Sequence, residues 1–145
     1  MKALIDTNIL VYAADPRDRE RQRVAQRVLE SLHSARIGAL ASQTLAEYSS
    51  VMNRKLGHSY GDLLTHVEAL TRNWPVLDLT AAIVLEALRG AKDHQLSYFD
   101  AQMWATARLN QIPVLLSEDF RSGTVLEGVQ FVNPFASGFS IEQWA

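Results

Sequence analysis

The chain has 145 residues, enough for one domain with a substantial core, and it is 48% hydrophobic and 21% charged, as an ordinary globular protein is. It has no cysteine, which excludes disulfides and cysteine metal sites and fits a reducing, cytoplasmic setting. The net charge of -2 leaves no overall basic surplus of the kind a nucleic-acid binder often carries, no stretch approaches membrane-spanning length, and Asp6 interrupts the N-terminal apolar run too early for a signal peptide.

Residues 2–5 read as a short apolar strand that ends abruptly in Asp6-Thr7-Asn8, and a turn of helix covers residues 8–12. Pro16 suits the first position of a helix capped by Asp15 and running to about residue 34, with Val24, Val28 and Leu32 as its buried stripe. Arg17, Arg19, Arg21, Arg23 and Arg27 crowd this segment. They form either a solvated face balanced by Asp18, Glu20 and Glu30 or a phosphate-contacting patch. Residues 37–41 read as a second strand, 44–54 as a helix, and Gly57-His58-Ser59 as a break before a helix from Ser59 or Tyr60 to about residue 72. A third strand spans 75–79. Thr80 caps a helix carrying Ile83, Val84, Ala87 and Leu88, and Ser97 caps the next, to about residue 110. Residues 113–117 are a fourth strand and 129–132 a weak fifth, stopped by Pro134. Strands alternating with helices predict an α/β fold with a mainly parallel sheet covered on both faces, in one domain over 1–145.

Four acids stand out. Asp6 is delivered at the C-terminal end of a buried strand, the edge of a parallel sheet at which ligands bind; the plainer reading is a helix N-cap. Glu47 and Asp100 each follow a hydroxyl residue, Thr44 and Ser97, at capping-box spacing. Asp100 also shares a helical face with Trp104 and Ala107, and no arginine or lysine stands within one turn to pair with it. Asp119 follows the fourth strand, either as a second strand-end acid or as a turn residue before Gly123. Its neighbour Glu118 is expected to point away, exposed. Asp93 and His94 read as helix-end surface residues, and His33, His58 and His66 show no ligand spacing. Clustered carboxylates repel, and a hard cation such as Mg²⁺, or Mn²⁺ in its place, removes the conflict. No cysteine or serine–histidine nucleophile set and no phosphate-binding glycine loop competes with this reading.

Asp6-Thr7-Asn8-Ile9-Leu10 resembles the opening motif of PIN-domain ribonucleases. Residues 42–47, residues 97–101 with Ala105 and Ala107, and residues 115–120 resemble their second, third and fourth motifs, and the tail over 128–135 resembles a VapC-type ending. The resemblance spans nearly the whole chain. It implies a Rossmann-like three-layer α/β/α fold with a sheet of four to five strands and metal-dependent endonucleolysis of RNA. It places Asp6, Glu47, Asp100 and Asp119 on one or two ions, and has Asn8 and Ser117 orienting ligands or substrate. Ser117 stands where the family often has threonine, which keeps the hydroxyl. The resemblance further implies the toxin of a toxin–antitoxin pair, a homodimer silenced by a small antitoxin. The expected chemistry is hydrolysis of an RNA phosphodiester by a metal-activated water. Two other readings stay open: a catalytically inactive PIN-like protein-binding module, and a phospho-acceptor receiver domain, which wants a lysine after a late strand where this chain has none. Leu10, Tyr12 and the helix around Leu63, Val67 and Leu70 are candidates for self-association.

Overall fold

Every residue of the first strand, β1 (Ala3–Ile5), is buried, because β1 lies inside a six-stranded sheet and packs on both faces. The computed structural model describes residues 1–143. The other strands are β2 (Gly38–Ala41), β3 (Val76–Leu77), β4 (Val114–Leu116), β5 (Val125–Leu126) and β6 (Val129–Val132), in the order β3-β2-β1-β4-β6-β5. All neighbours are parallel except β5 and β6. The helices are α1 (Thr7–Ala14), α2 (Arg19–Ala35), α3 (Ser42–Leu56), α4 (Tyr60–Asn73), α5 (Ala81–His94) and α6 (Tyr98–Leu109), followed by a 3₁₀ turn at Ile141–Gln143.

The period-two alternation of the strands sorts the core into two layers. Ile5, Leu40 and Leu116 face Ile9, Val28, Leu32 and Met52 of α1 to α3, with Leu63 of α4 behind them. Leu4, Ala39 and Leu115 face Ile83 and Ala87 of α5 and Trp104 of α6. A three-layer α/β/α fold results. Gly90 on α5 is required by close approach: a Cβ there would stand 2.4 Å from Cζ3 of the fully buried Trp104.

The sheet has one strand more than the four to five expected. β5 is two residues long and joins β6 through Glu127 (φ 47°) and Gly128 (φ 86°), a two-residue hairpin turn with both φ positive. Helix α2 begins at Arg19 rather than Pro16. Asp18 is the cap, accepting from Arg21 N–H at 3.1 Å, while the Asp15 carboxylate is taken by Arg17. Leu10 and Leu63, expected as self-association candidates, lie in the core with Tyr12, Val67 and Leu70 packed against it. That side of α4 therefore faces inward. Among the described residues no helix is long and apolar enough to cross a membrane.

The topology fixes where a site can form. From β1 the chain moves outward to β2 and β3 on one side, then returns to β4 and β6 on the other. The crevice beyond the carboxyl ends of β1 and β4 is thus the point at which strand order reverses, the ligand-binding position of doubly wound sheets.

Candidate active site

Asp6 and Ser117 are the residues that leave β1 and β4 at this reversal, and the ladder continues one step into them: Asp6 N–H donates to Leu116 O (2.9 Å) and Ser117 N–H to Val132 O (3.0 Å). The sheet thereby holds both backbones rigidly. Asp6 does cap α1, accepting from Thr7 N–H at 2.7 Å through Oδ1, but its second oxygen is engaged elsewhere. Ser117 Oγ donates to Asp6 Oδ2 (2.7 Å) and accepts from Asn8 Nδ2 (3.3 Å) and Asp119 N–H (3.1 Å). Ser117 is fully buried, so its hydroxyl works as an internal junction joining the segments after β1 and β4.

The capping-box readings of Glu47 and Asp100 do not hold. Helix α3 starts at Ser42, two residues before Thr44, and its cap position Ala41 offers no side-chain bond. Thr44 lies inside the first turn with its hydroxyl donating to Ile5 O, which ties α3 to β1. Ser97 does precede α6, but it accepts nothing from the helix N–H groups; its Oγ donates to Asp100 Oδ2 at 2.8 Å. Both acids are half-buried and line one cleft of about 360 Å³ together with Asp6, Asn8 and Asp119. The four acids proposed from the sequence are therefore brought to one place.

Electrostatics there are unfavourable as the residues stand. Burial pushes the Asp6 carboxyl up to about 7 against the help of its Ser117 and Thr7 hydrogen bonds, and Asp119 and Glu47 raise it further. Asp119, on the open side of the cleft, is also raised, first by desolvation and then by Asp100, Glu118 and Glu47. Among the described residues no lysine, arginine or histidine pairs with any of the four. The N-terminal ends of α1, α3 and α6 point at the cleft and offset part of the repulsion.

Sequence reasoning missed three features. Glu118 is only about one-quarter exposed and lines the cleft, where it accepts from Tyr12 Oη (2.6 Å) and pairs with Arg21 Nη1 (2.6 Å). The expectation that it points away into solvent fails because Arg21, one turn into α2, is within reach. The bond to Glu118 lifts the Tyr12 hydroxyl to about 12. A polar relay holds Glu47: Tyr98 Oη donates to Gln102 Oε1 (2.8 Å), Gln102 Nε2 to Gln43 Oε1 (2.9 Å), and Gln43 Nε2 to Glu47 Oε1 (2.5 Å). The signal was present as two i, i+4 polar pairs, Tyr98 with Gln102 and Gln43 with Glu47. Phe99, 64% exposed, forms part of the cleft wall.

The donor set suits a hard divalent cation in type, being all oxygen. Two buried oxygens beside Asp6, Asn8 Oδ1 and Thr7 Oγ1, have no hydrogen-bond partner among the described residues, and both residues line the cleft. Among the described residues no three acidic or histidine side chains stand close enough to hold an ion as they are placed. Three of the four acids are turned to a donor instead: Asp6 to Ser117, Glu47 to Gln43, Asp100 to Ser97. An ion held here would compete with these donors for the same carboxylate oxygens.

Solved structures share the fold. A toxin–antitoxin complex from Klebsiella pneumoniae matches with TM-score 0.68 and 22% identity, over 92% of this chain and 98% of that one. VapC20 from Mycobacterium tuberculosis, described as a sarcin–ricin loop cleaving toxin, matches with TM-score 0.64 and 20% identity over 79% and 87%. VapBC2 from Rickettsia felis, bound to a DNA fragment from its promoter, matches with TM-score 0.66 and 14% identity over 90% and 97%. No curated protein matches the sequence. The family model described as PIN domain matches residues 3–123, a span that opens with β1 and includes Asp6, Glu47, Asp100 and Asp119, and the chain belongs to the PIN-domain family.

Proposed function

We propose that the protein is a Mg²⁺-dependent endoribonuclease, with Mn²⁺ as a substitute, and the toxin member of a toxin–antitoxin pair. The observation that carries this reading is the unneutralised cluster in the reversal crevice: a buried Asp6 with its carboxyl raised to about 7, facing Glu47 and Asp119 with no cationic side chain as partner among the described residues. Buried charge left unpaired is costly, and an arrangement that accumulates it at a ligand-binding edge serves an exogenous cation. Membership of the PIN-domain family supports the reading, as do structural neighbours described as a loop-cleaving toxin and as toxin–antitoxin assemblies.

Asp6, Asp100 and Asp119 would hold the ion, and Glu47 would complete the set. When bound, the cation supplies positive charge against the charge that develops on the phosphoryl oxygens and acidifies water. Ser117 holds Asp6 Oδ2 in place, and Asn8 fixes the loop after β4 through Ser117. Glu47, with Oε1 held by Gln43, has Oε2 left to orient an attacking water and take its proton. The exposed ring of Phe99 offers a face for an unstacked base, which favours single-stranded RNA. An antitoxin would act by covering this cleft.

The test is cleavage of a labelled single-stranded RNA by purified protein after chelation, with Mg²⁺ restored stepwise. The reading expects no cleavage in chelator, recovery with the ion, and loss in a folded Asp6→Asn variant. Cleavage that survives in that variant rejects it. The catalytically inactive alternative predicts no cleavage by the wild type at any ion concentration.

A further inference from the structure

The arginines of the 17–27 segment separate by what they touch. Arg21 is engaged by Glu118 and Asp18, and Arg27 by Glu142. Arg19 and Arg23 are exposed and do not line the acidic cleft. Arg17 lines it. It does not turn to any of the acids of the proposed centre; its Nε and Nη2 donate to the two oxygens of Asp15 at 3.0 and 2.9 Å, and its own backbone N–H donates to Asp15 Oδ1 at 3.0 Å. The Asp15 side chain is 9% exposed, whereas that of Arg17 is 62% exposed. A carboxylate is thus buried, against its hydration, to hold one outward-facing guanidinium in a fixed plane. Among the described residues the fork leaves Nη1 without a partner. On the neighbouring wall Lys55, in the last turn of α3, also lines the cleft, is exposed, and pairs with no carboxylate among the described residues. Apolar side chains of Val11, Val51 and Leu56 line the cleft beside the two cations.

We propose that Arg17, fixed by Asp15, and Lys55 form the seat for an RNA backbone phosphate that flanks the cleavage position, a substrate-positioning site in the same cleft as the acids. The inference rests on the ribonuclease reading above. A polyanion must enter a cleft lined by Asp6, Glu47, Asp100, Glu118 and Asp119, so its approach needs positive charge within the cleft itself. A pre-oriented guanidinium supplies directional donors to phosphate oxygens, and a mobile ammonium supplies a point charge. The seat selects for the backbone and carries no base specificity.

The experiment measures binding of a fluorescent single-stranded RNA, with Ca²⁺ in place of Mg²⁺ and the strand checked intact on a gel, by anisotropy over a salt series, for the wild type, Arg17→Ala, Arg17→Lys, Asp15→Asn, Lys55→Ala, and Arg19→Ala and Arg23→Ala as controls. Circular dichroism confirms folding of each. Arg17→Ala and Lys55→Ala are expected to weaken binding by roughly three- to tenfold at low salt, each lowering the slope of log K against log salt by about 0.7, the value for one phosphate contact on a single strand. Arg17→Lys recovers the slope but not the full affinity, and Asp15→Asn loses part of the affinity with the slope unchanged. The control variants change affinity less than twofold. If the wild type binds and cleaves RNA while Arg17→Ala and Lys55→Ala bind as it does, or the controls lose as much, the phosphate seat is overturned and the ribonuclease reading stands. If the wild type neither binds nor cleaves RNA, both fall.

Discussion

Replacing Asp6 by asparagine tests whether the crevice stores electrostatic strain, and the sign of the effect is unusual for a buried polar residue. The carboxyl titrates near 7 in the folded chain against an ordinary value of 3.8. Its native pKa is raised, so the folded state binds the proton more tightly than the unfolded chain. Stability therefore falls as pH climbs from about 4 to about 7 and is level above that. At 1.36 kcal/mol for each tenfold change in proton affinity, ionised Asp6 costs about 4 kcal/mol at pH 8. Asparagine removes the charge and keeps an oxygen for Thr7 N–H, but its amide forces the Ser117 hydroxyl to accept where it now donates, a loss of about 1 kcal/mol. The variant is expected to be about 3 kcal/mol more stable than the wild type at pH 8 in chelator, a rise in Tm on the order of 5–10 °C, with most of the difference gone at pH 4. Millimolar Mn²⁺ should raise the wild-type Tm and leave that of the variant nearly unchanged. Thermal and urea unfolding at both pH values reads all of this. An Asp6→Asn protein no more stable than the wild type at pH 8, or equally stabilised at pH 4, refutes the argument that Asp6 is ionised at a cost.

Other perturbations follow from the packing and the relay. Gly90→Ala drives a methyl into the Trp104 ring, 2.4 Å from Cζ3, and should cost about 2–3 kcal/mol in urea unfolding, whereas Gly57→Ala, with open space around it, meets only the strain of φ 70°. Gln102→Leu severs the link from Tyr98 to Gln43 and frees Glu47 to rotate, so RNA cleavage should fall about tenfold in kcat with Tm lowered only modestly. Asp18→Ala removes the α2 cap at Arg21 N–H and should cost about 1 kcal/mol in thermal unfolding, with cleavage retained.

The fold was legible where patterns were local and long. The α5 helix starts after Thr80 and α4 after Ser59 as their capping residues require, and the alternation of strands with helices gave the layered sheet. Strand β5 was not legible, because two residues of sheet are held by tertiary contact with β6 and a Glu-Gly turn gives a weak local signal. At the site, the four acids singled out in the sequence line one cleft, but the local contacts differ from those expected. Capping-box spacing places an acid near a helix start but does not fix which group its carboxylate meets. Only the folded structure shows Thr44 reaching Ile5, 39 positions away, and Gln102 reaching Gln43, 59 positions away. Glu118 was misjudged for the same reason: its partner Arg21 is 97 positions away in the chain. Asp15 was read as a helix cap because Pro16 follows it. Its use as a carboxylate anchor for Arg17 depends on Asp18 taking over the cap three residues later.

The claim on which the account turns is that acids from opposite ends of the chain act as one cation site. Equilibrium Mn²⁺ binding, followed by the electron paramagnetic resonance signal of free ion, tests it without substrate. The account predicts saturable binding by the wild type that Asp6→Asn and Asp100→Asn each weaken by at least about tenfold. Absence of saturable binding at millimolar ion, or variants that bind as tightly as the wild type, contradicts it.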